Sequence, residues 1–322
     1  MDINMQESIQ PGGQIPNSPT FSHEAMASVF QFSLVHEDAD YARHAALAAF
    51  AEIDRLEHEL SRFIENSDIA RLNHAPAGWP VPLGLDSYAC LQHAHQAWED
   101  TGGAFDVTIG SLYRCWQGDD RMPRTPTEAQ IASAMERTGM QRLHLDSKLY
   151  EIASDTPGVQ VDLGGIGKGY ALDCAAAMLR EWNIPIGLLN AGSSTIVAMD
   201  PPPGKKGWPL AFHHPLQPDQ VLLRLDLANR SVSGSGQKSF RHILDPRPGR
   251  IGPVTGKIAT WSLAATGARS DALSTAFLVL DPADVEAFCR KYTQEAAFVV
   301  LGDYEKRTVS KIASWGPWPI AD

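Results

Sequence analysis

The stretch from Val161 to Asp173, Val-Asp-Leu-Gly-Gly-Ile-Gly-Lys-Gly-Tyr-Ala-Leu-Asp, constrains this chain more than any other. Four glycines fall within six residues: Gly164, Gly165, Gly167 and Gly169. The apolar run before them, Val159 to Leu163, reads as a strand, and Ala171, Cys174, Met178 and Trp182 after them recur at helical spacing. Glycine lets backbone approach a neighbour closely, and a helix start presents N–H groups with no partner inside the helix. That combination favours an anion, most often a phosphate. Neither common phosphate motif fits. A Walker A loop would need Gly at position 162, which is Asp, and Ser or Thr after Lys168, where Gly169 stands. A dinucleotide fingerprint would need Gly or Ala at Tyr170. The residues alone leave two readings open: a phosphate loop of another kind, or a tightly packed turn.

Composition narrows the partners. A net charge of −11 argues against nucleic acid or an anionic membrane. It also means that an anionic ligand would be helped by a bound cation. The four cysteines, Cys90, Cys115, Cys174 and Cys289, make no CxxC pair and no zinc spacing, so they read as free thiols. No run of about 18 apolar residues offers a membrane span. The first twenty residues lack the basic and apolar regions of a signal peptide. The expected location is cytoplasmic as the chain is given, or periplasmic or exported if a leader has been removed.

Residues 1–22 read as a disordered N-terminal arm and residues 23–322 as a single domain. Long amphipathic helices are expected from Asp38 to Leu60 and from Ser87 to Asp100, and a shorter one from Pro126 to Thr138, with Thr125 as N-cap and Glu128 closing the capping box. The second half is richer in strands, and helices return at Asp271–Leu280 and Ala283–Lys291. Helices and strands mix without regular alternation, so the fold class is α+β.

Asp271 and Thr275 stand at i, i+4 and share one helix face, where a carboxylate and a hydroxyl reach one hard cation. The plainer reading makes Asp271 a helix cap. His242, before an Asp-Pro turn, is either a strand-end histidine or a proton acceptor near neutral pH. Phe105-Asp106 after Gly102-Gly103 reads equally well as a buried ring with a local Asx turn.

Four segments taken in order, Gly103–Gly110, Val161–Asp173, His242–Gly249 and Ser270–Leu280, resemble the ApbE family, the FAD:protein FMN transferases. The resemblance runs from about Met26 to Gly302. It implies two lobes of mixed sheet and helix around a central flavin cleft, with FAD as substrate and Mg²⁺ as cofactor. Flavin contacts fall on Met26, Phe63, Ala104, Phe105, Asp106, Gly164, Gly165, Lys168, Asp173 and Ile243. The magnesium ligands fall on Asp271, Thr275 and the backbone carbonyl of Gly167. His242 matches the proposed base. Lys168 is expected to neutralise phosphate or to hold the loop through a carboxylate such as Asp162. The implied partner is a flavin-acceptor protein with an Asp-Gly-x-Ser/Thr-Gly-Ala-Thr-like segment, which this chain lacks.

The chain departs from the family pattern in two places. Ser193-Ser194 follow Asn190-Ala191-Gly192, where the family has Gly and an acidic or amide residue. Gly236 replaces an aromatic after Ser233-Gly234-Ser235, and the hairpin from there to His242 is short. The alternatives to transfer are hydrolysis of FAD to FMN and AMP, and FAD binding without catalysis.

Overall fold

The computed structural model describes residues 9–11, 18–117, 124–192, 194–237 and 243–321. The elements begin with β1 (Ile9–Pro11), β2 (Thr20–Ala25), β3 (Ser28–Leu34), α1 (Ala39–Leu60), α2 (Asp68–His74), β4 (Val81–Pro82), α3 (Leu85–Asp100) and α4 (Gly110–Trp116). They continue with α5 (Glu128–Met135), β5 (Leu143–Asp146), β6 (Glu151–Ser154), α6 (Gly167–Glu181), β7 (Gly187–Ala191), β8 (Thr195–Ala198), β9 (Trp208–His214) and β10 (Gln217–Leu227). They end with β11 (Arg230–Gly236), β12 (Leu244–Asp245), β13 (Gly252–Pro253), β14 (Lys257–Ala264), α7 (Gly267–Val279), α8 (Pro282–Lys291), β15 (Ala296–Asp303) and β16 (Thr308–Trp315).

Eight of these strands form one antiparallel sheet in the order β16-β15-β14-β11-β8-β7-β3-β2. Its two faces follow from period-two alternation in its central strands. In β14, Trp261 and Leu263 pack with Phe212 of β9 and Phe298 of β15 in an apolar layer under the small sheet β1-β9-β10. Trp261 and Phe212 stack there at 5.3 Å between centroids. The intervening Thr260 and Ser262 face α7 and donate to the Ser274 and Ser270 carbonyls. α6 and α7 lie on that face, and α1 packs on α6. The main core, with Phe32, Phe50, Ile53 and Leu172, fills the space between them.

The mixed α+β class matches the sequence reading, while several boundaries differ. Within the expected N-terminal arm, Ile9–Pro11 pairs with β9, Ile9 is buried, and β2 starts at Thr20. An isoleucine set against a half-covered strand outweighs the polar, Pro/Gly-rich composition around it. Val159–Leu163 joins no sheet and makes a single parallel bridge, Gln160 to Ile109. Gly110 donates to the Gln160 carbonyl, Asp162 to the Val107 carbonyl, and Val161 to the Asn73 side chain. The N-cap of α5 is Thr127, boxed with Gln130, instead of Thr125 with Glu128. The sequence Thr-Pro-Thr-Glu-Ala-Gln contains both capping frames, and the later one closes. Asp271 is not a cap, because α7 starts one turn earlier on Thr266, whose hydroxyl accepts from the Arg269 N–H.

Candidate active site

α6 opens at Gly167 with no side-chain cap, so its first turn depends on other elements for partners. α7 supplies one. The Asp271 carboxylate accepts from the Gly169 N–H at 3.1 Å. This contact requires the two helices to cross almost backbone to backbone. A Cβ on Gly169 would sit 2.1 Å from the Gly267 carbonyl oxygen, and one on Gly267 would sit 2.4 Å from that of Gly169. The loop glycines differ in purpose. Gly169 allows the helix crossing, while Gly165 lies under Phe105 and Thr275, at 3.2 and 3.6 Å from where its Cβ would be.

α7 is anchored at both ends. Asp173 of α6 accepts from its first N–H groups, Gly267 at 2.6 Å and Ala268 at 2.8 Å. At the other end, buried Lys257 donates to the Leu278 carbonyl at 2.9 Å and to that of Leu280. Burial lowers the Lys257 ammonium to a pKa of about 8. Between the ends a hydroxyl seam joins α7 to the sheet. Ser231, Ser233 and Ser235 alternate along β11 toward the helix. Ser270 meets Ser231 and Ser233 at 2.7 Å each, and Ser235 meets Ser274 at 2.8 Å and Thr275 at 3.2 Å.

Asp271 is 4% exposed. Burial pushes its carboxyl above the usual range, and Lys168, the Gly169 N–H and the Thr195 hydroxyl pull it back. A carboxylate so enclosed, beside a hydroxyl at i+4, calls for a cation. Asp271, Thr275 and the Gly167 carbonyl are all oxygen donors. Hard oxygen donors of this kind suit a hard cation such as Mg²⁺. The donor set fits Mg²⁺.

A cleft of about 190 Å³ opens beside this point, and Met26, Phe63, Gly164, Gly167 and Lys168 all line it. Met26 and Ala27 form the two-residue turn between β2 and β3, with φ of 50° and 53°. Left-handed backbone costs a non-glycine residue roughly 1–2 kcal/mol, so this turn is strained where it faces the cleft. Phe63 is 72% exposed and carries the Arg62 guanidinium 4.6 Å from its ring centroid. Lys168 donates to the Gly164 carbonyl at 3.3 Å. Its expected partner Asp162 instead pairs with Arg62 at 3.0 Å and accepts from the Gly164 N–H at 2.9 Å.

The other expected contacts divide. Ala104 and Phe105 are buried, with the Phe105 ring against Gly165. Asp106 accepts from the Thr108 N–H and hydroxyl and from the Met140 N–H, which makes it an Asx-type turn anchor. Burial lifts its carboxyl to a pKa of about 6 against those hydrogen bonds. Asp173 is likewise occupied by α7, and burial lifts it to about 6. Ile243 is half-buried against the main core. His242 and Ser193 lie outside the described residues. Ser194 turns back on the Ala191 carbonyl at 3.0 Å. Sequence reasoning missed Gly267, Thr195, Ser270 and the Arg62–Asp162 pair. Only Gly267 left a signal, as a second glycine set beside a helix start.

Fold and site together are those of an α+β protein that sets a glycine loop against an oxygen-donor helix. The chain belongs to the ApbE family, whose model matches residues 26–300. A FAD:protein FMN transferase of Klebsiella pneumoniae is 26% identical over 296 residues, 87% of this chain and 84% of that protein. One of Salmonella typhimurium is 26% identical over 90% of this chain and 86% of its own length. The apo form of the Pseudomonas stutzeri flavinyl transferase ApbE superposes with a TM-score of 0.81 at 24% identity, covering 92% of this chain and 94% of that one. The Vibrio cholerae flavin transferase ApbE gives 0.79 at 18% identity, covering 92% and 97%.

Proposed function

We propose that the protein transfers the FMN moiety of FAD to a Ser or Thr hydroxyl of a partner protein and releases AMP. The observation that carries this reading is the meeting of α6 and α7 at the Gly169 N–H and Asp271. It sets a buried carboxylate and the Thr275 hydroxyl against the glycine loop, whose Gly164, Gly167 and Lys168 line a cleft together with Met26 and Phe63.

In the reaction the acceptor hydroxyl oxygen forms a bond to the FMN phosphorus. The pyrophosphate P–O bond breaks toward AMP, and the hydroxyl proton goes to the base, a role given to His242. Phe63 and Met26 hold the nucleotide against the cleft wall. Gly164 and Gly165 let the pyrophosphate approach the loop, and Lys168 offers it a positive charge. Asp271, Thr275 and the Gly167 carbonyl would hold Mg²⁺, which when bound offsets charge on the pyrophosphate and on departing AMP. Asp173 and Asp106 act at one remove, by fixing α7 and the segment that carries Phe105.

The test is intact-protein mass spectrometry of an acceptor domain bearing an Asp-Gly-x-Thr-Gly-Ala-Thr segment, incubated with this protein, FAD and Mg²⁺, with AMP measured in parallel. A mass gain of one FMN less water, abolished by EDTA and by Asp271→Ala, is the expected result. Steady AMP without adduct would replace transfer by FAD hydrolysis. FAD binding with neither adduct nor AMP would leave a flavin-binding protein.

A further inference from the structure

Among the described residues a second cavity lies apart from the cleft. It measures about 370 Å³ and shares no lining residue with that cleft. It lies where α4 and α5 meet the segment before the glycine loop, and Arg114, Arg124 and Arg137 all line it. In a chain of net charge −11, three guanidiniums around one hollow are unexpected by composition. Among the described residues, two of the three lack the acid partner that accompanies most other arginines here. Arg114 donates to the Gln160 side chain at 2.9 Å. Arg137 donates to the Ser133 carbonyl at 3.1 Å and hydroxyl at 3.2 Å. Among the described residues neither meets a carboxylate.

Arg137 is also held in place. Its Cδ lies 3.2 Å from where a Cβ on Gly158 would be, and that position is a glycine with φ +78°. Its stem therefore lies along bare backbone, fixed at its head by Ser133. A guanidinium ordered before binding loses less entropy when it takes a ligand. Ser111 is pinned across the hollow by its bond to the Gly158 carbonyl at 3.1 Å. Thr125, Gln130 and Gln160 add hydroxyls and amides to the wall, beside the Cys115 thiol, and among the described residues no aromatic ring lines it.

We propose that this hollow is a second binding site, for a small and strongly polar phosphate, either inorganic phosphate or a sugar phosphate. Guanidinium forks match phosphate oxygens in pairs, and a dianion suits more than one of them. Hydroxyls and amides suit a hydroxylated remainder. The assignment is independent of the flavin reading, since it uses none of the cleft residues.

The test is isothermal titration of the full chain at constant ionic strength with inorganic phosphate, with ribose 5-phosphate, and with ribose as the uncharged control. Saturable binding of one or both phosphates in the micromolar-to-millimolar range is expected, without binding of ribose. The stronger of the two identifies the source of the phosphate. Arg137→Gln is expected to weaken binding at least tenfold, about 1.4 kcal/mol. Asp271→Ala is expected to leave it unchanged. If Arg137→Gln does not fold, Arg114→Gln, at an exposed helix position, makes the same test. Three results overturn the proposal: no saturable binding at millimolar phosphate, binding untouched by either arginine variant, or binding lost with Asp271→Ala, which would assign it to the cleft.

Discussion

Gly169 and Gly267 touch backbone to backbone: a Cβ on the first would lie 2.1 Å from the carbonyl oxygen of the second. This crossing sets the distance at which Asp271 meets α6. Gly169→Ala therefore has to push α7 away from the loop. Overpacking of this kind costs about 1–3 kcal/mol. The expected result is a lower urea midpoint together with reduced FMN transfer, because the Asp271 contact moves with the helix. A fully active variant of unchanged stability would show that the crossing does not position the site.

Asp271→Asn separates charge from shape. The amide oxygen can still accept from the Gly169 N–H, while the buried negative charge disappears. A buried amide costs less than a buried carboxylate, so the melting temperature should hold or rise. Transfer should fall on the order of a hundredfold or more, as expected when a group that organises phosphate charge is lost. A purely structural Asp271 would give the opposite pattern, a lower melting temperature with activity retained in the folded fraction.

What the sequence made legible follows from what local residues decide. The glycine loop before a helix and the helical i, i+4 pair Asp271/Thr275 are local facts, and the structure has α6 start in that loop and α7 carry both residues. The strand β11 was not legible, because Ser-Val-Ser-Gly-Ser-Gly has the composition of a loop. It is a central strand because β8 and β14 pair with it and α7 takes up its hydroxyls. The tie between Asp173 and α7 was hidden for a related reason. The sequence neighbours of Asp173 say nothing of Gly267 and Ala268, which approach from 94 and 95 residues away. Long-range polar pairing leaves no periodic trace in a single chain.

The hydroxyl seam predicts coupling. Ser270 bridges Ser231 and Ser233, and Ser231 also donates to the Ile196 carbonyl at 2.8 Å. Ser270→Ala should cost about 1–2 kcal/mol, within the range for losing a buried hydrogen-bonded hydroxyl. The double variant with Ser231→Ala should cost less than the sum of the two single changes, since both remove the same contact. A double-mutant cycle from urea unfolding measures this. Strict additivity would mean that the short Ser270–Ser231 distance carries no net energy.

Asp173 also gives the site a pH signature. Burial raises its folded-state pKa from 3.8 to about 6, only partly offset by the Gly267 and Ala268 N–H groups, and Asp271 raises it further. An acid whose folded pKa is raised binds more protons folded than unfolded between those values. Its contribution to stability is fully present below pH 3.8 and is lost as pH rises through about 6. Other carboxylates act in the opposite sense, Asp100 and Asp281 among them, so the whole protein need not be most stable in acid. The comparison is with Asp173→Asn, which cannot titrate. The stability difference between protein and variant should shift in the variant's favour from pH 4.5 to pH 7, as the native carboxylate ionises in its buried place. At either pH the variant pays for one poorly matched N–H at the start of α7, a cost that does not vary with pH and so cancels in the comparison. Urea unfolding at the two pH values reads it directly, and a difference that stays constant between them would mean that Asp173 keeps an ordinary carboxylate pKa in the folded protein.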